Sequence, residues 1–163
     1  MKSIKQIALT VLLTIGAFSA ITYTACNKDA CSGVTCNNGG TCSGGTCTCQ
    51  TGYEGVRCDT LSRTKFLGVY TGQETCTVGT DNYSVTLSSN SSNLNITYQN
   101  LYNQGFTATC TVTGPYTFSF TGSSNTTSYS GTGTLNNNQL TVSYQISNSA
   151  TSTSNSCTYI GNK

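Results

Sequence analysis

The sequence predicts a mainly β protein in two pieces, a small disulfide-rich module followed by an eight-stranded antiparallel β domain. Three observations lead there. Six of the ten cysteines fall within the short stretch from Cys31 to Cys58. Beyond Phe66 the chain is dominated by Thr, Ser, Asn, Tyr and Gly, and apolar residues alternate with the small polar ones at a period of two. Turn chemistry returns about every ten to twelve residues, the spacing of short strands joined by hairpins.

The first element is not part of either piece. Lys2 and Lys5 precede an uncharged, largely apolar run from Ile7 to Ile21, and small and polar residues then lead to Ala25 and Cys26. This is the layout of a signal peptide over residues 1–25. A membrane-spanning helix takes about 20 apolar residues, whereas this run is shorter and is broken by Thr10, Thr14, Gly16 and Ser19, so cleavage is expected rather than retention. Tyr23-Thr24-Ala25-Cys26 resembles a lipobox. That resemblance implies lipidation of Cys26, a tether over residues 26–30, and a membrane reached through the lipid. Asn27 rather than Asp follows the cysteine, which in lipoproteins of this kind implies sorting to the outer membrane. Lys28-Asp29 resembles the short charged signals that send some of them to the outer surface. The expected address is therefore the outer membrane, lipid-anchored and facing the cell exterior.

The cysteine-rich segment comes next, with Cys31, Cys36, Cys42, Cys47, Cys49 and Cys58. It carries Asn37-Asn38-Gly39-Gly40-Thr41 before Cys42, a CxC at Cys47 and Cys49, and Gly52-Tyr53-Glu54-Gly55 before Cys58. These features closely resemble an EGF-like domain over residues 31–58. The resemblance implies bonds from Cys31 to Cys42, Cys36 to Cys47 and Cys49 to Cys58; six cysteines by themselves leave the connectivity open. Val34, Tyr53 and Val56 are the only sizeable apolar groups in the segment, too few to offset chain entropy, so covalent closure must hold it. Each such loop is worth roughly 2 to 3 kcal/mol of unfolded-chain entropy. An oxidising compartment is then required, and the export signal supplies one. A closed zinc site would use CxxC pairs and often His, but this chain has CxC and no His. Some EGF modules bind calcium through residues just before the first cysteine; here Asn27-Lys28-Asp29-Ala30 lacks a carboxylate or amide next to it. No metal and no cofactor are expected.

Residues 59–65 read as a polar linker. Within it Asp59-Thr60-Leu61 resembles the Asp-Thr-aliphatic O-glycosylation motif of some exported proteins, which marks Thr60 as a modification site.

The β domain is expected over residues 66–163, with strands at Phe66 to Cys76, Asn82 to Ser88, Leu94 to Leu101, Phe106 to Thr113, Tyr116 to Gly122, Tyr129 to Leu135, Gln139 to Ile146 and Ser156 to Ile160. Tyr83, Val85 and Leu87 share one face, as do Phe106, Ala108, Cys110 and Val112, and Leu140, Val142, Tyr144 and Ile146. One buried and one wet face is the antiparallel pattern. Links such as Gly114-Pro115 and Asn136-Asn137-Asn138 suit hairpins. Eight strands of this kind close as an up-and-down barrel or stack as a sandwich. The barrel is preferred, because Phe66-Leu67-Gly68-Val69-Tyr70 resembles the first strand of lipocalin-like barrels, where a glycine precedes a buried aromatic by two. Cys76 ends the first strand and Cys157 opens the last, so closure makes them neighbours and a disulfide between them is expected, with Cys110 left on the apolar face. Pairing of Cys110 with either of them is the alternative.

Charge and chemistry narrow the function. The net charge of +2 includes Lys2 and Lys5; beyond Cys26, Lys28, Arg57, Arg63, Lys65 and Lys163 equal Asp29, Glu54, Asp59, Glu74 and Asp81. Without a basic stripe, nucleic acid is not an expected partner. From Phe66 onward the charged residues are Glu74, Asp81 and Lys163 alone. Glycoside hydrolysis needs two facing carboxylates, and although Glu74 shares strand parity with Tyr70 and Cys76, the pair reads as a strand-end carboxylate and a turn aspartate. No His is present to activate a Ser or Cys nucleophile, so no catalytic residue is assigned. The expectation is a displayed, non-catalytic binding or adhesion module for a glycan or protein, its Tyr, Asn, Ser and Thr supplying aromatic platforms and amide hydrogen bonds. The alternative is a carrier with an apolar cavity inside the barrel.

Overall fold

The structure, a computed structural model, describes residues 29–163. The expected signal peptide and the lipidation site Cys26 lie outside the described residues.

The cysteine-rich segment forms two short antiparallel pairs. β1 (Thr41–Ser43) lies against β2 (Thr46–Thr48), and β3 (Tyr53–Glu54) against β4 (Thr60–Leu61). Disulfides join Cys31 to Cys42, Cys36 to Cys47 and Cys49 to Cys58. Apart from Cys58 the segment has almost no buried apolar side chain, and Val56 is 88% exposed, so the bonds substitute for a core.

From Gly68 the chain builds a closed eight-stranded antiparallel barrel. Its strands are β5 (Gly68–Cys76), β6 (Gly79–Ser89), β7 (Asn95–Leu101), β8 (Phe106–Gly114), β9 (Thr117–Ser124), β10 (Thr127–Asn136), β11 (Gln139–Asn148) and β12 (Thr153–Asn162). Each strand pairs with its sequence neighbour, and β12 returns to β5 with Cys157 opposite Cys76 and Asn162 opposite Thr71. The sandwich alternative is thereby excluded. The period-two pattern explains the closure: Tyr83, Val85 and Leu87, then Ala108, Cys110 and Val112, then Leu140, Val142, Tyr144 and Ile146 all point inward and are buried. Ser, Thr, Asn and Gln cover the outside, where hydroxyls bond across strands, as Ser128 does to Ser147. A membrane-spanning barrel carries its apolar band outward; this one has the opposite polarity and is built to face water.

The interior is filled by aromatic rings. Tyr70, Tyr98, Tyr159, Phe66 and Phe118 are each less than 2% exposed. The room for them comes from inward glycines on neighbouring strands. A Cβ on Gly133 would stand 2.0 Å from the Phe118 ring, and one on Gly131 would stand 2.9 Å from that of Phe120. Small and large residues thus alternate across the sheet, so the rings lie flat over bare backbone. The tyrosines expected to form surface platforms are mostly core instead: from Tyr70 onward only Tyr116 is exposed and Tyr102 is partly so. A tyrosine can be buried when its hydroxyl finds an acceptor, and Tyr70 donates to the Phe66 carbonyl at 2.8 Å, Tyr159 to that of Tyr70 at 2.7 Å.

One barrel end is sealed. The first strand begins at Gly68 rather than at Phe66, because a 3-10 turn over Ser62–Lys65 precedes it and leaves Phe66 in a helical conformation. Phe66 is fully buried and meets Phe118 edge-on at 5.4 Å, closing the interior. The segment read as a linker is therefore ordered. Arg63 Nη1 donates to the carbonyls of Asn90 (2.7 Å) and Ser92 (2.6 Å), and Lys65 pairs with Glu54 at 2.5 Å. Gly52 meets the barrel so closely that a Cβ would lie 2.0 Å from Leu94 Cδ2. Lys163 closes the same end, its ammonium donating to the Lys65 carbonyl at 2.8 Å. This is the proximal end.

Candidate functional site at the distal mouth

The other end of the barrel is open. It is formed by the turn at Thr77 and Val78, the loop from Tyr102 to Gly105, Asn125 and Thr126, and the turn between β11 and β12. Since Cys76 is the last residue of β5 to pair with β12, while β12 begins at Thr153, the β11–β12 hairpin stands beyond β5 as a higher wall. A cleft of about 420 Å³ lies inside that wall, lined by Val78, Tyr102, Gln104, Phe106, Ile146 and Asn155 among others. A second cleft of about 290 Å³ shares Val78, Tyr102 and Gln104 with it and reaches Glu74, Cys76 and Asp81.

Local sequence explains how these groups are held. Asn100, Tyr102 and Asn103 have φ of 67°, 58° and 48°. Asn tolerates that region, but an aromatic residue in it is strained. The loop is held by side chains: Asn100 Oδ1 accepts from Gly105 N–H at 3.1 Å, and Asn103 Nδ2 donates to Asp81 Oδ2 at 2.6 Å. Tyr102 in turn accepts from Asn155 Nδ2 at 3.0 Å, and Asn155 Oδ1 accepts from Thr77 Oγ1. Two turns and the start of β12 are thereby joined across the mouth.

Below this rim sits Glu74, only 3% exposed. Its Oε1 accepts from Tyr83 Oη at 2.6 Å and from Tyr144 Oη. Burial, together with these bonds to the carboxylate, pushes both phenols far above the ordinary tyrosine range, so both stay protonated donors. Among the described residues Oε2 accepts no hydrogen bond, and Glu74 lines the second cleft. Its surroundings are thus not those of the strand-end carboxylate the sequence suggested. Strand parity did place it inward, but only the closed barrel brings it to Tyr83 and Tyr144.

The Cys76–Cys157 disulfide borders the same cleft. Its sulfurs and a Glu74 oxygen all lie within 4.8 Å of one another, yet sulfurs bonded to each other are not thiolate ligands. Cys110 is buried and unbonded, its thiol pushed up to about 12 by burial, which keeps it protonated and unreactive. Thr60 is on the module side, exposed in β4, with its hydroxyl 3.4 Å from Asp59 Oδ1.

Compared with protein-family models, with curated proteins and with solved structures, the chain matches none of them.

Proposed function

We propose that this chain is a tethered, non-catalytic binding lipoprotein: anchored through Cys26 after loss of residues 1–25, displayed from the outer membrane, with an EGF-like module at residues 31–58 bracing a barrel that binds through its distal mouth. One observation carries the reading. The end of the barrel nearest the N-terminal module is sealed by Phe66, Arg63 and Lys163, while the far end is an open rim, joined by hydrogen bonds, over two clefts. A tether on the module side would present that rim outward to a glycan or protein partner. The scarcity of charge in the barrel and the protonated, buried Cys110 support binding rather than catalysis.

A second reading, a carrier of small apolar ligands, is favoured by the cleft walled by Phe106 and Ile146. The filled interior moves such a ligand from the barrel's centre to its mouth.

The address is tested by mass spectrometry of the mature protein together with protease treatment of intact cells. A diacyl or triacyl adduct on Cys26 and external cleavage are expected; an unmodified Cys26 or a protected chain overturns the displayed lipoprotein. The surface is tested on a glycan array with Val78→Asp at the mouth and Ile160→Asp on the barrel wall, both exposed positions. Loss with the first alone is expected, and equal loss with both sinks the distal mouth.

A further inference from the structure

We propose that the distal mouth selects small organic amines, with the protonated nitrogen at Glu74 and an aromatic or aliphatic body against Tyr102, Phe106 and Val78. This rests on the mouth being the binding surface and goes beyond the glycan or protein partner proposed above. The first support is the state of Glu74. A carboxylate 3% exposed is expensive to bury, and its two phenol donors both serve Oε1, leaving Oε2 unpartnered beside the cleft. An N–H donor of positive charge is the complement of that atom.

The second support is the segregation of charge along the barrel. In β5–β6 register Glu74 stands opposite Asp81, so both carboxylates serve one cleft, Glu74 on its floor and Asp81 on its exposed rim. Among the described residues every Arg and Lys lies elsewhere: Arg57 in the module, Arg63 and Lys65 in the turn before β5, and Lys163 at the proximal end. An anionic ligand would meet two like charges at the mouth and no counter-charge. A cation meets both.

The third support separates an organic amine from a hydrated metal ion. Calcium takes six to eight oxygen ligands at short range, whereas the carboxylate cleft is walled in part by Val78, Tyr102 and the Cys76 disulfide and adjoins the cleft of Phe106 and Ile146, and Asp81 already accepts from Asn103 and from Asn82 N–H. Such walls desolvate an apolar body and strengthen the one charged contact at their base.

The chain contains no Trp, so the protein adds no indole emission of its own and the spectral shift of the ligand's indole reports binding. Tryptamine and its neutral counterpart tryptophol are titrated against the purified chain, alongside Glu74→Gln and Asp81→Asn. Gln keeps an acceptor for Tyr83 and Tyr144, and Asp81 is exposed, so both variants should fold; near-ultraviolet circular dichroism checks this. Tryptamine is expected to bind with blue-shifted emission, and tryptophol at least about tenfold more weakly. Glu74→Gln should weaken tryptamine by about ten- to a hundredfold, and Asp81→Asn by about two- to fivefold. Equal binding of the two ligands, or undiminished tryptamine binding by Glu74→Gln, overturns the amine selection while leaving the mouth as a binding surface. Displacement of tryptamine by calcium would recast the carboxylates as a cation site and equally overturns it. No binding of tryptamine at all rejects the ligand class, while the array and cell-surface tests decide the parent reading separately.

Discussion

Replacing Cys76 and Cys157 together by alanine removes the covalent seam where β12 meets β5, and the size of the effect follows from topology. The two residues are 81 apart in sequence. Closing a loop of that length restricts the unfolded chain by an entropy equivalent to about 4.5 kcal/mol near room temperature. The folded barrel does not depend on the bond for its shape, because the seam already has a continuous register from Cys157 opposite Cys76 to Asn162 opposite Thr71. Loss of the buried Cys157 sulfur adds a packing term of about 1 kcal/mol. The variant should therefore fold to the same barrel, less stable by about 4 to 6 kcal/mol, which is a large share of the roughly 5 to 15 kcal/mol typical of a domain. Guanidinium unfolding followed by near-ultraviolet circular dichroism reads this directly. Since the freed chain expands more when unfolded, the denaturant slope should rise as the midpoint falls. A loss below about 1 kcal/mol, or a large loss with an unchanged slope, would refute an effect exerted through the unfolded chain.

Three further outcomes are expected. Tyr98 has a buried hydroxyl with no hydrogen-bond partner, so Tyr98→Phe should stabilise the barrel by about 1 kcal/mol in the same unfolding assay, and a destabilised variant would contradict this. Phe66→Ala opens the proximal seal and should cost about 3 to 5 kcal/mol; a smaller loss in thermal or guanidinium unfolding means that the plug is not part of the core. Burial pushes Tyr70 and Tyr159 from 10.0 to about 12, and the Cys110 thiol from 9.0 to about 12. The folded chain holds these protons after the unfolded chain has released them, so stability is complete below pH about 9 and falls as pH rises toward about 12. Unfolding midpoints measured across that window should decline, and iodoacetamide should leave Cys110 unmodified until the chain unfolds.

How much of this was legible depends on the range of the interactions involved. Inward faces could be read from alternation because side-chain direction in a strand is local, and the faces of Tyr83, Val85 and Leu87 or of Leu140, Val142, Tyr144 and Ile146 are buried accordingly. Closure was not fixed locally, since it rests on β12 reaching back to β5 across most of the domain. Phe66 read as a strand residue because Phe-Leu-Gly-Val-Tyr has strand composition; its turn conformation is imposed by Arg63 and Lys65, whose partners lie on the β6–β7 loop and in the module. The tyrosines misled because the same residue suits a wet platform and a hydrogen-bonded core. A signal against the platform was present in Gly131 and Gly133, which share strand parity with Tyr129 and Leu135. Two inward glycines in succession leave bare backbone that only a ring from a neighbouring strand can cover.

Glu74 is the residue that stability leaves unexplained. The other interior hydroxyls that find partners use the backbone: Tyr70 the Phe66 carbonyl, Tyr159 that of Tyr70, and Tyr129 that of Thr107 at 2.8 Å. Tyr83 and Tyr144 instead converge on a carboxylate. An apolar side chain at position 74 with Phe at 83 and 144 would fill the same space, and buried polar sets of this kind are commonly matched or surpassed in stability by such replacements. The second carboxylate oxygen accepts no hydrogen bond among the described residues yet is not a buried unpartnered atom, so water or a ligand in the cleft can reach it. Here both donors hold one oxygen and orient the other toward the mouth. Packing in the barrel therefore accounts for the position of Glu74 but not for the choice of a carboxyl group there, which is what the proposed amine site would require.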